Sequence, residues 1–168
     1  MPPAEIEIRR AGPEDASTIA GLLRESFLEF KALYTDGGFA ATTPGVAEVL
    51  SRMHEGPAWV ALRAGVALGT VAAVVKADSA YIRGMAVLPS ARRSGAGVAL
   101  LRLAEDWAAE QGCVRLFLST TPFLSSAIHL YEKSGFRRTP EGPHELRGTP
   151  VFTMEKKIPR SGGISTKA

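Results

Sequence analysis

MAVLPSARRSGAGVALLRLAEDW, residues 85–107, reads as strand, loop and helix. The apolar run Met85-Ala86-Val87-Leu88 stops at Pro89, and a basic turn follows, Arg92-Arg93-Ser94-Gly95-Ala96-Gly97. Beyond it Val98, Leu101, Ala104, Trp107 and Ala108 recur at three- and four-residue spacing, which predicts a helix with one face against a sheet. The first turn of such a helix carries N–H groups without partners and a partial positive charge, so it attracts anions. Gly95 and Gly97 let an anion approach the backbone, and Arg92 and Arg93 add fixed positive charge. The stretch therefore reads as a diphosphate cradle.

Which diphosphate it holds depends on the residues that follow. A dinucleotide fingerprint needs a third glycine where Leu100 stands, and an acidic residue about twenty positions along, where Arg115 stands. A P-loop needs Lys and Ser or Thr where Val98 and Ala99 stand. Neither reading fits.

The turn resembles instead the Arg/Gln-x-x-Gly-x-Gly/Ala signature of the Gcn5-related N-acetyltransferase (GNAT) superfamily, whose loop holds the coenzyme A pyrophosphate on backbone amides. Downstream, Ala127-Ile128-His129-Leu130-Tyr131-Glu132-Lys133-Ser134-Gly135-Phe136 is similar to the family's later motif, at the expected separation. On periodicity alone Ala127, Leu130, Tyr131 and Ser134 share a helical face that Gly135 ends.

Outward from these motifs, 168 residues, 45% of them apolar, suit a single folded domain. Residues 5–10 alternate as a half-buried strand, and a helix starts at Pro13 and runs through Ile19, Leu22, Leu23, Ser26, Phe27 and Phe30. Residues 34–44 read as a loop, and the next helix is expected between Pro44 and Gly56, burying Val46, Val49, Leu50 and Met53. Residues 59–63, 67–76 and the strand ending at Leu88 read as an antiparallel meander. Residues 113–118 form a strand parallel to the one before the cradle, because a helix crosses between them. After the helix at 126–133 come a strand near Phe136, a turn-rich 140–150 and a last strand through Val151, Phe152 and Met154. The expected class is α/β (α+β), and the resemblance implies the acyltransferase fold over residues 1–157, a mixed sheet of six to seven strands flanked by four helices. Residues 158–168 read as a disordered tail.

Several functions are disfavoured by composition. No apolar run approaches the roughly 20 residues of a membrane span, and the N-terminus lacks a signal-peptide pattern. The single cysteine, Cys113, excludes an internal disulfide and suits a cytoplasmic protein. The net charge of +3 is diffuse, with Lys156, Lys157, Arg160 and Lys167 near the C-terminal end, so no nucleic acid is expected as a partner. His54 and His129 have no spacing to a second ligand, and no metal is expected.

Acyl transfer from a thioester to an amine needs juxtaposed reactants, a stabilised oxyanion and a proton for the leaving thiolate. The resemblance implies acetyl-coenzyme A as cosubstrate, held by Met85, Ala86, Val87, Arg92, Arg93, Ser94, Gly95, Ala96, Gly97, Val98 and Ser126, with the Val87 amide on the thioester oxygen. It implies Tyr131 as general acid. Leu124 stands where many members have asparagine, and Tyr81 where some have a carboxylate base. The base is therefore open among Glu29, Asp36, Glu55, His144, Glu145 and a water chain. By the same resemblance the acceptor pocket takes Phe27, Phe30, Tyr34, Phe39, Thr42, His144, Glu145 and Phe152. That aromatic share suggests a small amine, an amino acid or a similar metabolite; a peptide N-terminus or lysine is an alternative. A coenzyme A-binding regulatory module without turnover would keep the glycines but need not keep Tyr131. The fold is compatible with a homodimer.

Overall fold

The structure is a computed structural model that describes residues 5–142 and 144–159. Among them are five α-helices and eight strands. β1 (Ile6–Arg10), β2 (Ala58–Arg63), β3 (Val66–Lys76) and β4 (Ser79–Val87) form an antiparallel run, β4 is parallel to β5 (Arg115–Thr120), and β8 (Thr149–Lys157) lies antiparallel on the far side of β5. The short strands β6 (Arg137–Arg138) and β7 (His144–Leu146) both pair with β8. Ala64 and Gly65 join β2 to β3 with φ of 52° and 80°, the left-handed pair that a two-residue hairpin requires.

Helices cover both faces of the sheet. α4 (Ala96–Glu110) packs Leu100, Leu101, Ala104 and Ala108 against Val71, Ala73, Ile82 and Leu116, and α5 (Ser125–Lys133) adds Tyr131 to that core. On the opposite face α1 (Ala16–Phe27) and α3 (Val46–Met53) pack Ile19, Leu23 and Val49 against Ala58, Val60 and Ala86. β2 serves both layers, since Trp59 and Ala61 alternate with Ala58 and Val60. Val98, expected on the buried face of α4, is 44% exposed; Leu100 takes the core position, because the helix turns its first-turn Val98 toward the cradle. Val46 is likewise exposed at the start of α3.

Three further elements differ from the sequence reading. Residues 34–44 hold a helix, α2 (Asp36–Thr42), whose first turn is capped by the Thr35 hydroxyl accepting from the Gly38 N–H at 3.0 Å. The glycines that suggested a loop serve close packing: a Cβ on Gly38 would collide with the Thr149 side chain. Within the turn-rich 140–150, β7 and β8 form a hairpin about Arg147 and Gly148, with φ of 47° and 93°. So the described residues hold eight strands and five α-helices, where about six to seven strands and about four helices were expected. Finally, Ile158, just past the last strand, belongs to the core and its N–H donates to the Val114 carbonyl at 2.9 Å. Residues 160–168, most of the expected tail, lie outside the described residues.

Thr149 ties α2 to this hairpin. Its buried Oγ1 accepts from the Thr35 N–H at 2.9 Å, and the Thr35 hydroxyl donates to the Arg147 carbonyl at 2.7 Å. Thr149→Val keeps the shape but strands the Thr35 amide, and is expected to destabilise the protein by about 1–3 kcal/mol in urea titration. A variant as stable as the parent would show that water replaces the bond.

Candidate active site

The centre of the molecule is a gap in its own sheet. β4 and β5 pair only as far as Tyr81 and Phe117, whose rings lie 5.0 Å apart. Beyond that point β4 stays on β3 to Val87 and β5 stays on β8 to Thr120, so residues 82–87 and 118–120 part.

A bulge prepares the β4 edge of the gap. Ala72 faces Arg83 and Thr70 faces Ala86, three steps on β4 against two on β3, which puts an extra residue at Gly84 and Met85. Gly84 absorbs the turn at φ 59°. Side-chain parity inverts across it: Ala80 and Ile82 belong to the α4 core, Ala86 to the α1 core, and Met85 and Val87 pack toward α4. The Leu88 N–H donates to the Leu68 carbonyl at 2.8 Å. In an antiparallel ladder the next residue points its polar groups the other way, so Val87 turns its N–H and C=O into the gap.

Three adjoining cavities follow. The first, about 520 Å³, lies over the α4 N-terminus and is lined by Val87, Arg92, Arg93, Gly95, Gly97, Val98, Ser126 and Lys133 among others. Gly95 has φ 93°, and Arg93 beside it φ 67°. The Gly97 and Val98 amides, in the first turn of a 15-residue helix, lack intrahelical acceptors, and among the described residues no acid lines this cavity, although Glu29 pairs with Arg92 at 3.1 Å. Donor set and shape fit a diphosphate. A narrow passage of about 110 Å³ leads on past Val87, Met85, Ala86 and Ser126 to Tyr131, with the buried Ser26 hydroxyl, which has no partner among the described residues, on its wall. That passage suits an extended chain with amide groups, as in pantetheine. A chamber of about 400 Å³ lies beyond, lined by Tyr34 and Thr42 from the α2 side, Arg83 and Met85 from β4, Thr120 at the end of β5 and Thr121 just after it, and His144 and Glu145 from β7. Tyr131, Met85, Ala127, Leu124 and Phe27 belong to both passage and chamber.

The structure does not gather every residue the sequence singled out. Ser94 turns its hydroxyl to accept from the Ala96 N–H at 3.3 Å, and Ala96 is fully buried, so each faces α4 itself. Phe39 is buried against Tyr34 with ring centroids 5.9 Å apart, and Phe152 is buried under Arg138, 4.2 Å from its ring. Neither lines the chamber; both support its walls. Phe30 lines the passage. Of the candidate bases, Glu29 is paired with Arg92 at 3.1 Å and Glu55 with Arg83 at 2.7 Å, whereas His144 and Glu145 line the chamber. Arg52, Arg83 and Thr121 at the chamber were not anticipated. Arg83 sits in a strand beside Ile82 and reads as a surface charge, and only the bulge two residues on marks the place.

Burial dominates the site's electrostatics. Desolvation pushes the Tyr131 phenol well above the ordinary tyrosine value, and the neighbouring Tyr34 adds to the shift. Desolvation also raises Tyr34, against the hydroxyls of Thr42 and Thr121, which lower it.

Residues 21–136 match the Acetyltransferase (GNAT) family. The chain is 32% identical over 136 residues to the uncharacterized N-acetyltransferase YjgM of Escherichia coli (strain K12), covering 77% of this chain and 80% of that one. It is 36% identical over 106 residues to an aminoglycoside N(6')-acetyltransferase type 1 of Klebsiella aerogenes, covering 56% and 69%. The fold matches the PaiA N-acetyltransferase of Thermoplasma acidophilum, solved in complex with coenzyme A, with TM-score 0.77 at 22% identity over 91% of this chain and 99% of that one. Family match, open-edged sheet and anion cradle agree: the chain belongs to the acetyltransferase (GNAT) family and is an acetyl-coenzyme A-dependent N-acetyltransferase.

Proposed function

We propose that this enzyme acetylates a primary amine of a small molecule or amino acid by direct attack within a ternary complex, with Tyr131 as general acid. Acetyl-coenzyme A, when bound, supplies the acetyl thioester. The remaining work falls to the chain. Arg92, Arg93 and the Gly97 and Val98 amides hold the diphosphate, Met85, Ala86, Ser26 and Ser126 flank the passage, and the Val87 N–H donates into the gap where the thioester oxygen needs a donor. The chamber receives the amine. His144 and Glu145 are the residues there able to take the amine's proton, and Tyr131 gives its own to the leaving sulfur.

The position of Tyr131 carries this reading. Its ring forms part of both the passage and the chamber, and its burial keeps the phenol protonated at neutral pH. A cytoplasmic location belongs to the same proposal; among the described residues no helix is long and apolar enough to cross a membrane.

Calorimetric titration with acetyl-coenzyme A, with NADH and ATP as controls, tests the first half, and thiol release over a panel of amines, amino acids and short peptides tests the second. The expected result is binding of acetyl-coenzyme A alone and release that depends on a small amine. Binding with no acceptor-dependent release would favour a regulatory module, and release only with peptides would replace the small-molecule acceptor.

A further inference from the structure

We infer that the acceptor carries a carboxylate beside its reactive amine, and that Arg83, supported by Arg52, reads it. The inference rests on the proposed reading of the chamber as the acceptor site.

Two guanidinium groups, one from β4 and one from α3, line the same chamber. Each is tethered by a glutamate at the rim. Arg83 Nη2 donates to Glu55 Oε1 at 2.7 Å, and Arg52 Nη2 to Glu48 Oε2 at 3.3 Å and to the Ala41 carbonyl at 3.3 Å. The glutamate side chains are 51% and 57% exposed, the arginines 17% and 21%. The paired glutamates do not line the chamber, whereas both arginines do.

Arg83 is also incompletely satisfied. Its Nε is shut off from solvent and has no hydrogen-bond partner among the described residues, a state that buried polar groups seldom tolerate. The Thr121 hydroxyl, lining the same chamber, is a second buried group without a well-formed bond, although it lies near enough to Tyr34 to temper that phenol. Guanidinium N–H groups in a fixed plane and a hydroxyl are the donor set that a carboxylate accepts. Among charged residues the chamber wall carries Arg52 and Arg83 against Glu145, with Glu48 and Glu55 paired to the two arginines from outside it. A polycationic acceptor meets like charge on that wall. An amino acid brings its own counter-charge.

Matched acceptor pairs test this: α- and ω-amino acids against their carboxamides, with spermidine and kanamycin as cationic acceptors, assayed by thiol release. The intact enzyme is expected to prefer carboxylate over carboxamide by about 10- to 100-fold in kcat/KM, as charge-assisted bonds imply. Arg83→Gln should bring that ratio close to one, chiefly through KM. Arg83→Lys should recover only part of it, since an ammonium lacks the planar fork. Acetyl-coenzyme A titration of each variant reports folding independently. Equal use of carboxylate and carboxamide, turnover confined to the cationic acceptors, no turnover in the set despite intact acetyl-coenzyme A binding, or an unchanged ratio in Arg83→Gln would each overturn the inference. Failure of the intact enzyme to bind acetyl-coenzyme A would instead overturn the proposed function beneath it.

Discussion

Tyr131→Phe is expected to lower kcat by roughly 10²- to 10⁴-fold and to leave acetyl-coenzyme A affinity nearly unchanged, the range that positioned general acids supply. The substitution deletes one oxygen from a ring packed 5.9 Å from Phe136, so the fold should persist and the loss should fall on the chemical step. pH separates this role from simple packing. Burial raises the phenol above the ordinary tyrosine value of 10.0, so it stays protonated through neutral and moderately alkaline pH. The kcat profile should therefore have no descending limb below about pH 10. The stability linkage has the same sign: the unfolded chain loses this proton first, so the neutral buried phenol contributes fully below about pH 10 and its contribution is lost as pH rises further. Unchanged turnover in Tyr131→Phe would leave the residue a packing element. A small effect would mean that a thiol of reference pKa about 8.5 leaves without help.

The second large effect is expected at Gly97. A Cβ there would lie 2.8 Å from Leu130 Cδ2 and 3.6 Å from Met85 Cε, so α4 and α5 meet at this glycine beside the cradle. Gly97→Trp should abolish measurable acetyl-coenzyme A binding by filling the cradle. Gly97→Ala should weaken it by about 10- to 100-fold, the affinity equivalent of the roughly 1–3 kcal/mol that overpacking costs. The clash falls on the end of a flexible side chain, so Leu130→Ala in the Gly97→Ala background should restore part of the loss. Calorimetry of binding and of thermal unfolding on the same samples would check both. Strong binding by Gly97→Trp would move the diphosphate away from the α4 N-terminus.

How much of this was legible beforehand follows from the range of each interaction. The strand, turn and helix at 85–110 are written in local periodicity, and the parallel pairing of β4 with β5 follows from the crossover helix between them. The direction of the Val87 amide follows from the ladder's alternation, which periodicity within one strand does not give. What stayed hidden depends on distant contacts. α2 exists because Thr35 caps it and Thr149 holds it, 114 positions along the chain. Its glycines, read locally, argue for a loop. β7 was lost among prolines and glycines that serve a hairpin turn. Phe39 and Phe152 lie on segments that the resemblance places at the pocket, yet both spend their aromatic area supporting its wall. Arg52 and Arg83 went unnoticed for the converse reason. Each sits in an unremarkable charge pattern, and only the parting of β4 from β5 gives them a chamber to face.

The extra residue at Gly84 has a consequence for how such an enzyme can diversify. Residues before it and residues after it lie on one strand but border different spaces: Tyr81 and Arg83 line the chamber proposed for the acceptor, while Ala86 and Val87 border the passage. The kink uncouples the two halves, so a substitution upstream need not re-aim the backbone downstream. Acceptor preference is then free to drift by single replacements at residues 81–83 while the donor's seat is inherited intact, and a shared donor among relatives with different amines is the expected outcome of that division.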